Sequence, residues 1–230
     1  RGGRFLAALN LDMSGEHSFD NQNRAGITWS PPSISSALND VASKTVAYAN
    51  SVPNRNPEIT MVDLNFRILP FLGKGEHAIF NDGMISVPAV TLSYKPSYAH
   101  HNEKNIAIES EELHRCALIA SVTFWYLANL SEIQSLELAN LVAANGHGRL
   151  ASDVQRAADR LLKVRTDSLE KMYDEGKRLV SLAVERETRT LESILDFVPS
   201  SRSVRRLVRT WKETLENQAQ LNVQVLQALI

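Results

Sequence analysis

A chain of 230 residues with 43% hydrophobic and 22% charged side chains has the make-up of an ordinary globular protein, long enough for one large core or two small ones. Its net charge of −1 excludes a whole-molecule attraction to polyanions, and its single cysteine, Cys116, excludes an internal disulfide framework and argues for a reducing compartment. No secretory signal is visible, and the most apolar run, Cys116–Leu130, is about 15 residues against the roughly 20 of a membrane-spanning helix.

Residues 1–32 show little periodicity and read as an N-terminal arm with a short helix at Arg4–Leu11, closed by Pro31-Pro32. Arg1-Gly2-Gly3-Arg4 reads as a terminal stub. Ser33–Ala49 predicts a first helix, capped by Ser33, with the stripe Ile34, Leu38, Val41 and Val46. Glu58–Leu69 has strand character. Ala78–Phe80 and Met84–Val87 flank Asn81-Asp82-Gly83, a hairpin-turn signal, and Val90–Tyr94 reads as another strand. Residues 33–109 are thus expected to form a mixed unit of one helix and a small β sheet.

From Ser110 the pattern turns helical. Ser110 with Glu111 and Glu112 makes an acidic first turn, and Leu113, Ala117, Ala120, Phe124 and Leu127 form a stripe. Ser131-x-x-Gln134 is a capping box for a second helix, which Asn145-Gly146 is expected to close. Ser152-x-x-Gln155 repeats the box. From there, the absence of proline until Pro199 predicts one helix over 152–198, about 47 residues and roughly 70 Å long. Its apolar residues recur every eleven positions: Leu150, Leu161, Met172, Ala183, Ile194; then Ala151, Leu162, Tyr173, Val184, Leu195; then Ala158, Leu169, Val180, Leu191. Eleven residues in three turns keeps such a stripe on one side of a straight helix. Gly176 is its weak point. A last helix over 202–229 follows Pro199 and turns Val204, Leu207, Val208, Trp211 and Leu215 to one side. The expected fold class is mainly α, an α-rich α+β protein whose C-terminal half, 110–230, ends in a long antiparallel helical hairpin.

A 70 Å stripe exceeds what the short helices of one subunit can cover. Leu161, Leu162, Leu169, Met172, Tyr173, Val180, Val184, Leu191, Leu195 and Trp211 are therefore the expected oligomer interface, with a homo-oligomer the expected state; the alternative is an intramolecular core, with the helix broken near Gly176. Arg202, Arg205, Arg206 and Arg209 fall at i, i+3, i+4 and i+7, on one face of the last helix. Cations at a helix start oppose the helix dipole, so an anion is expected to compensate. That anion is either a nucleic-acid phosphate or a carboxylate such as Glu192 or Asp196. Arg156, Arg160, Lys163 and Arg165 alternate with Asp153, Asp159 and Asp167, which reads as a solvated face.

No catalytic, metal or cofactor site emerges. Glu111-x-x-His114 is one copy of a pattern that a di-iron bundle needs twice. His100-His101 lacks further ligands at defined spacing, and His147 reads as loop. Cys116 reads as a buried apolar residue rather than a nucleophile. No Walker A, G-x-G-x-x-G, G-x-S-x-G or H-E-x-x-H pattern occurs, and no small-molecule substrate is implied. The expected function is a non-enzymatic structural subunit that self-assembles, of the coat or nucleocapsid kind, in the cytoplasm or a virion-like assembly. The alternatives are a scaffold that docks another protein, a helical protein acting at a membrane surface through Tyr173, Phe197 and Trp211, and an enzyme with an unfamiliar centre around Glu111, His114 and His100-His101.

Overall fold

The computed structural model describes residues 4–12, 26–51, 66–73, 75–93, 110–164 and 168–230. The protein is mainly helical with a small mixed sheet in its N-terminal half, as the sequence leads one to expect. It divides into two compact units, one of residues 1–34 and 38–129, the other of residues 35–37 and 130–230.

In the first unit, strands β1 (Ala8–Asp12), β2 (Gly26–Thr28), β3 (Arg67–Leu69) and β4 (Ala89–Ser93) form a sheet in the order β1-β4-β2-β3. β1 runs parallel to β4, β2 antiparallel to β4, and β3 parallel to β2. All five residues of β4 are buried, as suits a central strand. The expected helix at Arg4–Leu11 is therefore a strand, and residues 1–32 are more than an arm, because β1 and β2 supply half the sheet. Leu9 and Leu11 fit either period in so short a run, and pairing with β4 decides. Of the expected strand Glu58–Leu69, residues 58–65 lie outside the described residues and β3 is its end.

Helix α1 (Leu38–Ser51) follows a 3-10 turn at Pro32–Ile34, later than the expected start at Ser33. Its inner face is Leu38, Val41, Ala42, Val46 and Ala49. Asn39 ties its first turn to β2's exit: Oδ1 accepts from the Ser30 amide at 3.1 Å and Nδ2 donates to Ser30 Oγ at 3.1 Å. The expected hairpin at 78–87 is absent. His77–Phe80 is a helical turn, α2, and Asn81 uses its side chain on the backbone of Ala89, donating to its oxygen and accepting from its amide, both at 2.9 Å. The Asp82 carboxylate accepts from the Met84 amide, so the turn residues close α2 instead of a hairpin. Helix α3 (Ser110–Ala128) buries Cys116, Ile119, Thr123 and Leu127, while Leu113, Ala117 and Phe124 of the expected stripe are exposed. Cys116 is a free thiol packed with Ile27, Val46, Ala49, Leu92 and Ile119.

The second unit is an up–down–up bundle of α4 (Glu132–Leu161), α5 (Leu169–Glu192) and α7 (Arg202–Gln227), with one short turn, α6 (Ile194–Phe197), before the last. The Ser131–Gln134 capping box forms in both directions. The Ser152 box does not. Ser152 lies inside α4 and donates to the Gly148 carbonyl, while Gln155 donates to Asp159. Asn145-Gly146 does not end a helix either, and His147 is helical rather than loop. The expected single helix over 152–198 is two antiparallel helices, parted after Leu161 and not at Gly176. Val164, Thr166, Asp167 and Ser168 are poor helix formers clustered at that point. Folding back there lets the apolar stripe cover itself.

Gly176 is buried where three helices meet. A Cβ there would lie 3.6 Å from Ala157 Cβ and 3.6 Å from Leu226 Cδ1, ordinary contact distances. Gly176→Ala should therefore raise stability by about 0.5–1 kcal/mol through helix propensity, and Gly176→Leu should lower it by about 1–3 kcal/mol through overpacking. Urea denaturation of the two variants checks both signs.

Candidate phosphate-binding face and the polar centre of the bundle

Helix α7 is fixed by its cap and its inner face. Ser201 Oγ accepts from the Val204 amide at 3.3 Å, and Val204, Val208, Leu215 and Leu226 are buried. That places Arg202, Arg205, Arg206 and Arg209 outward, and all four are exposed. The Arg205 guanidinium donates to the Pro199 carbonyl at 2.7 Å. The guanidinium groups of Arg202, Arg206 and Arg209 have no ion-pair partner among the described residues. Glu192 is ion-paired instead with Lys212. The same outward face continues through Glu213, Glu216, Asn217, Gln220, Gln224 and Gln227, all exposed.

The centre of the bundle is polar. Glu187 of α5 is 1% exposed and sits against α4. Its carboxylate accepts from Arg149 Nε at 3.1 and 3.0 Å and from Arg149 Nη2 at 2.6 Å. Arg186 Nε donates to the same carboxylate at 2.6 Å, and Arg186 Nη2 reaches Asp153 Oδ2 at 2.9 Å. Asp153 is 2% exposed and also pairs with Arg156. Asp153, expected on a solvated face, thus belongs to a network that joins α4 to α5, while its partner Arg156 is exposed as expected. The signal for it lies in the sequence only as Gly146: a Cβ there would come 3.2 Å from Glu187 Oε2. A second polar seam joins α4 to α7. Trp211 Nε1 donates to Asn140 Oδ1 at 2.9 Å, His147 Nδ1 lies 2.5 Å from Gln218 Oε1, and the His147 and Trp211 rings meet edge to face at 5.9 Å.

The residues expected at an oligomer seam separate in this frame. Leu161, Val180 and Leu191 are buried in the bundle core and are not available to a second chain in this arrangement. Leu169, Met172, Tyr173, Val184, Leu195 and Trp211 are half-buried within the bundle, and Leu162 alone of the ten is openly exposed, at 67%. Glu111's side chain and the His100-His101 loop fall outside the described residues, and His114 is exposed. Among the described residues, no group of three His, Cys, Asp or Glu side chains is placed to hold a metal ion. No single helix there is long and apolar enough to cross a membrane.

Comparisons with protein-family models, with curated proteins and with solved structures return no match.

Removing a buried charge partner leaves the other charges uncompensated. Glu187→Ala should cost about 3 kcal/mol or more, while Arg206→Ala on the outer face should change stability by no more than about 0.5 kcal/mol. Chemical denaturation of the two variants side by side measures the contrast.

Proposed function

We propose that the chain is a non-enzymatic structural subunit that binds nucleic acid through its phosphates and associates with further copies of itself. The observation that supports this reading best is the row Arg202, Arg205, Arg206 and Arg209: exposed, on one helix face, and without a carboxylate partner among the described residues. Seven residues of α-helix span about 10.5 Å, so the row offers several cations to neighbouring backbone phosphates. No aromatic side chain shares that outward face, which suits contact with the backbone rather than with bases.

For association, the reading rests on Leu162, Leu221, Val225, Leu229 and Ile230, all exposed. They occur at the end of α4 and the end of α7, which run in the same direction. The same apolar end favours one second reading, a scaffold that docks a different protein. Action at a membrane surface gains less support. Tyr173, Phe197 and Trp211 are half-buried, and Trp211 spends its N–H on Asn140.

Light scattering on a sizing column, with absorbance at 260 and 280 nm before and after nuclease, tests the reading. A large species with nuclease-sensitive excess absorbance at 260 nm is expected. A clean monomer free of nucleic acid at high concentration overturns it, and a small defined oligomer without nucleic acid favours the scaffold. With single-stranded oligonucleotides, the slope of log K against log salt should flatten by about 0.7 for each of these arginines that contacts a phosphate and is changed to Gln.

A further inference from the structure

We propose that His77 makes the docking of α2 against β1 and β4 sensitive to acid, so that protonation of its imidazole releases the α2 turn from the sheet. His77 is the first residue of α2 and is 3% exposed. Neither ring nitrogen has a hydrogen-bond partner. Phe71 packs edge-on against the ring at 5.6 Å, and Gly75, at φ +89°, approaches from the preceding turn, where an added Cβ would lie 3.2 Å from Nδ1. A neutral imidazole fits this setting, because a buried cation without a hydrogen-bond acceptor is costly.

Few contacts hold α2 in place. Asn81 makes two hydrogen bonds to the backbone of Ala89, Val87 donates to the Phe80 carbonyl at 2.9 Å, and Asn10 of β1 reaches Glu76 at 3.4 Å. The charged groups that face the ring are Asp12 from β1 and Glu76 immediately before α2. Neither bonds to it, and β4 brings only Ala89, Val90, Thr91, Leu92 and Ser93, none of them titratable. Burial pushes the imidazole below its ordinary 6.5, and the Asp12 and Glu76 carboxylates offset part of that shift. The docked state therefore binds the proton less readily than the released one. Docking is at full strength above pH 6.5 and weakens as pH falls below it towards the lowered value. This window lies above the ordinary carboxylate range of about 4.

The test is hydrogen exchange of the full chain at pH 7 and pH 5, read as protection factors for the amides of Val87 and Ala89, which the α2 segment covers. At pH 5 their protection is expected to fall clearly below its pH 7 level, because the docked state binds the proton less readily than the released one. In His77→Phe it should stay within about twofold, and His114→Gln, at an exposed position, should behave as the unaltered chain does. Unchanged protection in the unaltered chain overturns the proposal, as does an equal loss in His77→Phe. Should His77→Phe fail to fold, nitrogen-detected titration of the ring in the unaltered chain decides. Titration of His77 below 6.5, coincident with loss of protection, supports the latch. A ring that titrates at or above 6.5 with α2 still protected rejects it.

Discussion

The arrangement of the C-terminal bundle depends on neutralising one buried carboxylate. Glu187 lies on the inner side of α5 and meets the guanidinium of Arg149 from α4 and that of Arg186 from its own helix. The Arg149 pairing requires α5 to run back along α4 in this register, and a Cβ at position 146 would press on the Glu187 carboxylate at 3.2 Å. Arg186 then reaches Asp153 one turn further along α4 and extends the same alignment. A buried ion pair adds little net stability over a well-packed apolar substitute, so its main consequence here is geometric. A shift of the hairpin by one residue costs Glu187 its Arg149 partner and Asp153 its Arg186 partner, leaving each carboxylate only the arginine of its own helix. With the register set, Leu150, Leu161, Val180, Ala183 and Leu191 fall into one core, and α7 closes it with Val204, Val208, Leu215 and Leu226.

That alignment sorts the arginines by what they can do. Arg149 and Arg186 are neutralised by internal carboxylates and spend their donors holding α4 to α5, while Arg156 pairs with Asp153 on its own helix. On α7 the inner positions are apolar, which leaves its first arginines nothing to pair with inside the bundle. They sit where the helix dipole is already unfavourable to cations. Their placement is therefore not a stabilising device, and it is what the proposed function uses: an anion there would offset both the arginines and the helix dipole. Glu213 and Glu216 on the same outward face limit where a phosphate chain can lie. A polyanion running the length of α7 meets them, whereas one crossing its first two turns does not.

The fold class, the Ser131 cap, the onset of α3 and the apolar faces of the last helices were readable because each rests on local chemistry or on a period sustained over many turns. Of the eleven-residue columns, the first marks the inner face best, with Leu150, Leu161, Ala183 and Ile194 buried, whereas the second has Ala151 and Leu162 exposed and none of its members buried. The columns could not reveal that the helix reverses between Leu161 and Leu169, since Leu150 and Leu161 on one arm and Ala183 and Ile194 after the reversal are all buried and the phase of that column survives the turn. Asn145-Gly146 misled for the opposite reason. Its local preference for ending a helix yields to a tertiary contact with Glu187, about forty residues away. Asp153 looked solvated because periodicity counts charges without their partners. The strands β1 and β2 were hidden by their brevity, since three to five residues carry too little alternation to outweigh pairing with β4. The arginine row was legible in full, spacing and outward face alike, because helical periodicity alone fixes both.

The reversal also changes the case for self-association. A single 70 Å helix would have required a second chain along most of its length, whereas the folded hairpin covers its own core columns. Among the described residues, the end of the bundle leaves Leu162, Leu221, Val225, Leu229 and Ile230 in solvent, while Ile133 and Leu182 are exposed singly elsewhere on α4 and α5. A stable interface takes roughly 800 Å² from each partner, about 20–30 residues. Five side chains fall well short of that. The association we propose through this end would have to recruit polar neighbours such as Gln220 and Gln224, and on its own would be weak and concentration-dependent. Under the function we propose, an anionic strand bridging the arginine rows of several subunits would supply the missing coupling by holding copies at high effective concentration, so that nucleic-acid binding and assembly are one requirement of that proposal rather than two.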